Sequence, residues 1–185
     1  MSDLSPDSLS SAGLPAASYT VNVDIDDDYA ALVSAGDLAA AVVATLRHQQ
    51  VDAGEVTLVV AGDDEVRQLN RDYRGIDAVT DVLSFAAHDT ADADAPALAL
   101  PPELAAELDA HLGDIVIAYP YAARQAAHYG AALAAELRLL AVHGTLHLLG
   151  FDHDTPQAEA AMWAAQEAVL AEFGDRGLSL RRYEE

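Results

Sequence analysis

The sequence predicts a single α/β domain in which a four-stranded β-sheet is packed between about five helices. The length of 185 residues is that of one globular domain. Short apolar, β-branched segments alternate along the chain with longer segments that repeat apolar residues every three or four positions. The sequence contains no internal repeat and no apolar run of 18 residues. The pattern therefore favours one α/β core over a repeat array or a membrane span.

Four segments have the composition of strands. Residues 19–25 alternate apolar and polar side chains until three consecutive Asp residues interrupt them. Residues 56–62, VTLVVAG, are predicted to form a buried strand that ends at Gly62. Residues 78–87 and 113–119 are rich in apolar and β-branched side chains and complete the predicted sheet.

The first three predicted helices follow strands. One starts near Asp37 and places apolar residues every fourth position along one face. Asp63 is the expected N-cap of a short second helix. Pro120 suits the first turn of a third helix, which runs to about His128. The apolar positions that define the first two helices are Leu38, Val42, Leu46, Val66 and Leu69.

Two further helices are predicted in the last third of the chain. Residues 131–149 form a long apolar helix, and Gly150 is expected to end it because glycine tolerates the left-handed conformation. Thr155 and Pro156 are typical of a helix start. The apolar face of this last helix comprises Met162, Ala165, Val169 and Phe173.

The rest of the chain predicts tails and one long loop. Residues 1–18 are rich in Ser, Pro, Ala and Asp, and we expect a disordered acidic tail there. Residues 178–185 are expected to form a C-terminal tail, which leaves 19–177 as the domain. The acidic, Pro-containing segment 88–102 is predicted to be a mobile loop inside that domain.

The composition restricts the possible functions. Thirty-one acidic residues oppose nine basic ones, giving a net charge of −22, and all nine are Arg. This balance disfavours non-specific binding to nucleic acids or anionic membranes. The absence of Cys excludes disulfides, Cys-ligated zinc and a cysteine nucleophile, so a metal must bind His or carboxylate. The first residues lack the features of a signal peptide, and we expect a soluble, cytoplasmic protein.

Three of the seven His residues lie in the segment HGTLHLLGFDH, at His143, His147 and His153. His143 and His147 are four residues apart on a predicted helix, so both imidazoles lie on one face. A turn at Gly150 can bring His153 back as a third ligand. Three imidazoles leave one position of a tetrahedral zinc ion open, which is typical of catalytic sites.

The same spacing occurs in metzincin proteases, where the residue after the first His is a Glu that acts as general base. Gly144 occupies that position here, which disfavours peptide hydrolysis. Asp152 and Asp154 flank His153 and could act as bases, accept hydrogen bonds from a ligand imidazole or simply form a solvated turn.

Three Arg residues, Arg67, Arg71 and Arg74, lie close together in a chain with few positive charges. They could form an ordinary exposed helix face. Alternatively, a guanidinium fork is suited to bidentate contact with a phosphate. Arg74 precedes Gly75 at a predicted turn, so it is the best placed of the three to project into a cleft.

Three motifs in order, LNRDYRGIDAVTDVLSF, LGDIVIAY and HGTLHLLGFDH, resemble the YbeY family of bacterial rRNA maturation factors, zinc-dependent endoribonucleases specific for single strands. The resemblance covers about residues 55–173. It implies an α/β fold, one Zn²⁺ per chain on the three His residues, and catalytic roles for Arg74 and His147. The domain at 19–177 would then be the zinc endoribonuclease domain.

The resemblance also implies a place in ribosome biogenesis. Family members act in late 16S rRNA 3′-end maturation and ribosome quality control. The implied partners are rRNA and the small ribosomal subunit, with a small-subunit ribosomal protein and the Era GTPase as further candidates. Two departures from the family pattern concern strand ends, where Val79 and Ala86 replace prolines, and the loop from 88 to 112 is long and acidic for the family.

For this chemistry we expect zinc to activate the phosphodiester or the attacking group, and Arg74 to stabilise the additional negative charge of the transition state. Ser84 and Asp114 are candidate groove or supporting residues, although a Ser and an Asp at strand ends are often structural. Two alternatives are a non-catalytic ribosome assembly factor with a structural zinc and a metalloprotease-like zinc hydrolase. The high negative charge predicts weak binding to naked RNA, with affinity supplied by the ribosome or a protein partner.

Overall fold

The computed structural model describes residues 17–87 and 110–178. Within these ranges four strands form one sheet and five helices pack around it, which confirms the predicted α/β fold. In chain order the elements are β1 (Ser18–Ile25), α1 (Ala35–His48), β2 (Ala53–Ala61), α2 (Asp63–Arg74), β3 (Val82–Ala86), β4 (His111–Ala118), α3 (Tyr119–Tyr129), α4 (Leu133–Leu148) and α5 (Pro156–Glu172).

The sheet has the strand order β1-β2-β4-β3. β1, β2 and β4 are parallel, and β3 pairs antiparallel with β4 at the edge of the sheet. In this register Leu58 of β2 lies beside Ile115 of β4, and Ser84 of β3 lies on the other side of Ile115. The short edge strand β3 therefore borders any cleft that opens at this side of the sheet.

The two central strands are the most buried of the sheet: one face of β2 is buried and its other face half-buried, and the last four residues of β4 are buried. One face of the sheet packs against α1 and α4, on which α5 packs in turn, and the other face packs against α2. β1, at the opposite edge, alternates exposed and half-buried residues, as its sequence predicts. The strand residues on the larger core are Val56, Leu58, Val60, Ile115 and Ile117, and those on the smaller core are Ala61, Leu83, Val116 and Ala118.

The predicted strand at 78–87 was too long, because only Val82–Ala86 pairs with β4. The residues before it form a loop that is held by side-chain and backbone contacts. Asn70 Nδ2 donates to the carbonyl of Ala78 at 2.8 Å, and the amide of Ala118 donates to the carbonyl of Asp81 at 2.8 Å. Apolar, β-branched residues here line a cleft instead of pairing in the sheet.

The prediction that Asp63 is an N-cap was wrong. Gly62 occupies the N-cap position of α2, and Asp63 is the first residue of the helix. There its carboxylate accepts from Arg124 of α3 at 2.8 Å and lies at the positive end of the helix dipole. The first helix begins at Ala35, two residues before the predicted start, because the hydroxyl of Ser34 accepts from the amide of Asp37 at 3.2 Å.

The predicted tails and the predicted loop at 88–102 lie largely or wholly outside the described residues. Where the structure meets them, Ser18 is already the first residue of β1 and Leu178 packs against the larger core. Over the described ranges, no helix combines the length and apolar character needed to cross a bilayer.

Candidate metal centre and cleft

The C-terminal half of α4 carries His143 and His147 on a helix that lies close against the sheet. Gly144 permits this approach, since a Cβ at this position would lie 2.9 Å from the side chain of Ile115 in β4. The position that carries the general base in metzincins therefore points into the core. This geometry explains why His143 and His147, which lie beside that contact on the helix, border a cleft while Gly144 does not.

The chain reverses immediately after α4. Gly150 adopts a left-handed conformation with φ +83°, and its amide donates to the carbonyl of His147 at 2.9 Å. The turn brings His153 back toward the helix, with ring centroids 5.1 Å from His147 and 5.7 Å from His143. One ring nitrogen from each of the three residues lies within 4.8 Å of the others. The structure thus assembles the predicted histidine triad.

The Nε2 atoms of His143 and His147 face each other at a distance of 3.1 Å. On the far side of its ring, Nδ1 of His143 lies 3.2 Å from Oε1 of Gln166. For His147, the backbone of Phe151 acts to raise the pKa of the ring. When Nδ1 carries the proton of each neutral ring, both Nε2 atoms present a lone pair to the space between them.

This arrangement fits a metal ion. Two facing lone pairs repel each other unless a cation lies between them. Zn–N bonds of about 2.0–2.1 Å at tetrahedral angles place two ligand nitrogens roughly 3.3 Å apart, close to the observed separation of His143 and His147. His153 supplies the third nitrogen. In the described ranges no fourth His, Cys, Asp or Glu joins all three histidines, so the protein ligands leave a position for a further group.

Burial keeps the histidines in the neutral form that binds metals. The pKa of His143 is lowered to about 3, chiefly by burial and then by the neighbouring His147. Burial also lowers the pKa of His147, followed by the charge of His153, and the positive charge of Arg74 acts in the same sense. At neutral pH the imidazoles of His143 and His147 are therefore uncharged. Arg74 lies within electrostatic range of His147.

The histidines form one wall of a cleft of about 960 Å³. Its opposite side is formed by the end of α2, the loop after it and β3. Ser84 of β3 is among the lining residues, as predicted for a groove residue. The residues that carry polar groups into the cleft are Asn70, Arg74, Thr80, Asp81, Ser84, Gln125, His143, His147, Asp152, His153 and Asp154.

Arg74 is the available cation of this cleft. Arg67 is held by Asp77 through two hydrogen bonds of 2.8 and 3.1 Å, which lower the pKa of that carboxyl. Arg71 lies 3.4 Å from Asp72 and 4.0 Å from Asp77. Arg74 lines the cleft and has no carboxylate within 4.0 Å among residues 17–87 and 110–178. Among the described residues, Arg74 is therefore the member of the three-arginine cluster that has no carboxylate partner.

The acidic candidates occupy different places. Asp114 does not line the cleft, because it alternates with Ile115 along β4 and lies on the face of Val116, 3.5 Å from His111. Asp152 does line it, and its Oδ1 accepts from the backbone amide of His153 at 2.7 Å. That bond is the first cause of the lowered pKa of the Asp152 carboxyl.

Asp152 thus stabilises the turn that carries His153 by accepting a hydrogen bond from a backbone amide. That hydrogen bond does not involve an imidazole. Asp154, the other acidic candidate beside His153, also lines the cleft.

Asp81 is a cleft residue that the sequence did not single out. Burial raises the pKa of its carboxyl. The carboxylate accepts from the amide of Val82 at 2.8 Å and from Nε2 of Gln125 in α3 at 3.3 Å. It thereby ties the start of β3 to α3 across the cleft floor. Asp81 lies inside an apolar segment whose composition predicts one continuous strand. The sequence therefore gives no sign that its carboxylate joins β3 to α3.

Gln166 and Trp163 of α5 were also missed. Trp163 packs against the rings of His143 and His153, with centroid distances of 6.1 and 5.7 Å. One signal for Gln166 was present in the sequence, since it is a polar residue at helical spacing between Met162 and Val169 on the apolar face of the helix.

Comparison with known proteins gives a consistent picture. The family model described as Endoribonuclease YbeY matches residues 22–174. A protein named Endoribonuclease YbeY from Moorella thermoacetica is 52% identical over 128 residues, which cover 69% of this chain and 75% of that protein. A protein of the same name from Chloroflexus aggregans is 46% identical over 158 residues, covering 84% and 97%.

A solution structure from Thermotoga maritima has the same fold, with a TM-score of 0.50 and 19% identity over 88% of this chain and 97% of that one. The family match extends from β1 to the end of α5 and includes the three histidines and Arg74. The chain therefore belongs to the YbeY endoribonuclease family.

Proposed function

We propose that this protein is a zinc-dependent endoribonuclease that cleaves single-stranded RNA in the late maturation of 16S rRNA. One observation carries the proposal: a three-histidine site lines the same open cleft as Arg74, which has no carboxylate within 4.0 Å among the described residues. Endoribonuclease activity is what the relatives' name states. The nitrogen-only ligand set and the spacing of the two Nε2 atoms favour zinc among the divalent ions.

The residues of the cleft have distinct parts in this reaction. A bound zinc ion would supply Lewis-acid chemistry at the scissile phosphate. His143, His147 and His153 would hold it through one ring nitrogen each. Arg74 binds the phosphate and stabilises the negative charge that develops during cleavage. Ser84 and Asp152 line the same space and can bond to the ribose or to the attacking group.

The alternatives are less well supported. The chain lacks the general base of a metalloprotease, because the residue at that position is Gly144, which faces Ile115 and not the metal site. A purely structural zinc needs a fourth protein ligand, and none joins the triad among the residues the structure describes. The cleft is also large enough to admit a polymer segment, which a structural site does not require.

We place the substrate in the small ribosomal subunit, because the protein itself is poorly suited to binding free RNA. Its net charge is −22, and two of the three arginines near the cleft are paired with acids. Cleft charges attract only nearby phosphates at physiological salt, where screening acts over about 8 Å. Affinity then comes from the ribosome or from a protein partner, for which a small-subunit ribosomal protein and the Era GTPase remain candidates.

The test is cleavage of an end-labelled 16S 3′-terminal RNA, offered as a single strand and as a duplex of the same sequence. Wild type should cut only the single strand, and His147→Ala, purified in parallel, should cut neither. Equal cleavage of both substrates would contradict single-strand specificity. Equal activity of His147→Ala would assign the cleavage to a contaminating nuclease.

A further inference from the structure

Gln166 of α5 is fully buried beside the histidine site, although glutamine is mostly an exposed residue. It lies between Met162 and Val169 on the face of α5 that packs on the larger core. Its Oε1 lies 3.2 Å from Nδ1 of His143, whereas its Nε2 has no acceptor among the described residues. An apolar residue would avoid the cost of this unpaired amide, so the contact with His143 is what the position gains from being polar.

We propose that Gln166 is a positioning residue that sets the tautomer of His143 and so prepares its Nε2 for a metal ion. An amide oxygen can only accept, so the contact requires the proton on Nδ1 of His143. Nε2 of the neutral ring then carries the lone pair, and it is this atom that faces Nε2 of His147 at 3.1 Å. The proposal rests on the metal site of the proposed function.

The opposite tautomer would disable the site. If Nδ1 of His143 accepted from the Gln166 amide nitrogen, the proton of the neutral ring would lie on Nε2, where it blocks coordination. His143 lies within the helix, where backbone carbonyls are already engaged. Gln166, from a separate helix, places an acceptor 3.2 Å from Nδ1 of His143.

α5 is well suited to this positioning role. It begins only three residues after His153, and its N-terminus is fixed by Thr155, whose hydroxyl accepts from the amide of Ala158 at 3.2 Å. Trp163, about one turn before Gln166, packs against the rings of His143 and His153. One helix thus restrains the ring planes through Trp163 and the proton position through Gln166.

Zinc affinity, measured by competition with a chromophoric chelator, tests the proposal without an activity assay. Gln166→Met removes the acceptor at nearly constant volume and should weaken zinc binding about 10- to 100-fold. Gln166→Glu keeps an acceptor and should bind within about threefold of wild type or more tightly. Gln125→Met is the matched control, because it makes the same exchange at a cleft amide that bonds to Asp81 instead of a histidine.

Zinc affinity of Gln166→Met equal to that of wild type would overturn the proposal, and so would an equal loss in the Gln125→Met control. If Gln166→Met does not fold, Gln166→Glu decides, because a loss of tenfold or more in that variant also contradicts the proposed role.

The second readout is the tautomer of His143 in metal-free protein, from long-range ¹⁵N–¹H correlation spectra at neutral pH. We expect the proton on Nδ1 in wild type and in Gln166→Glu, and a mixture in Gln166→Met. A wild-type proton on Nε2 would refute the proposal. Because this spectrum needs no metal, it distinguishes failure of the proposed function from failure of the role given to Gln166. Wild type that binds no zinc would contradict the proposed function, whereas the tautomer of His143 would still test the role of Gln166.

Discussion

Replacing Arg74 by Ala should lower kcat/KM for RNA cleavage without affecting the fold. Two charges 4 Å apart interact by about 4 kcal/mol at an effective dielectric constant near 20. Loss of one donor to a transition-state anion typically costs about 2.7–4 kcal/mol, or roughly 10²- to 10³-fold in rate. The upper part of this range applies here, because no carboxylate within 4.0 Å in the described ranges neutralises Arg74.

Arg71→Ala is the matched control, since it removes the same charge one turn earlier on α2. Arg71 contacts Asp72 and Asp77 and does not line the cleft, so we expect less than about a fivefold effect, as for a screened surface charge. Urea denaturation should place both variants within about 0.5 kcal/mol of wild type. Equal losses in the two variants, or unchanged cleavage by Arg74→Ala, would refute the assignment of Arg74 to the phosphate.

Three further predictions concern stability, measured by chemical denaturation of the metal-free protein. Gly144→Glu should lower the free energy of unfolding by about 3 kcal/mol or more, because it forces an unpaired carboxylate against Ile115. A stable variant with peptidase activity would contradict this prediction. Asp81→Ala should cost about 1–3 kcal/mol by leaving buried donors unpaired, whereas Asp81→Asn, which keeps an acceptor, should cost less; equal losses would argue against the hydrogen bonds. The pKa of His143 falls from 6.5 to about 3 on folding, so the unfolded chain binds the extra proton between these values. Acidification below pH 6.5 should therefore lower the free energy of unfolding of wild type relative to that of His143→Leu by up to about 1.4 kcal/mol per pH unit. If the two free energies change in parallel with pH, the ring is not buried as described.

The parts of the site that depend on local geometry were predictable from the sequence. His143 and His147 share a helix face because of their four-residue spacing, and the turn that returns His153 needs only the left-handed Gly150. Helix periodicity likewise identified the elements, with errors mainly at their ends. Arg74 lies at the end of its helix next to Gly75 and lines the cleft, which is the placement that the sequence predicts.

The parts that depend on tertiary packing were not predictable. Both faces of β4 are apolar, so no sequence pattern indicates that Asp114 lies on the face away from the histidines. The pairing of Arg67 with Asp77 joins residues from a helix and a loop whose approach follows from the fold. Gln166 reaches His143 from a separate helix, and its role appears only when both helices are packed together.

Zinc stoichiometry measured together with cleavage tests the central claim most directly. After chelator treatment, zinc is titrated into wild type and into His153→Ala, and the rate of cleavage of single-stranded RNA is recorded at each ratio. The account predicts that the wild-type rate rises linearly from background to a plateau at one zinc per chain, while His153→Ala stays near background at the same ratios. Full cleavage by the metal-free protein, or normal restoration of His153→Ala, would contradict it.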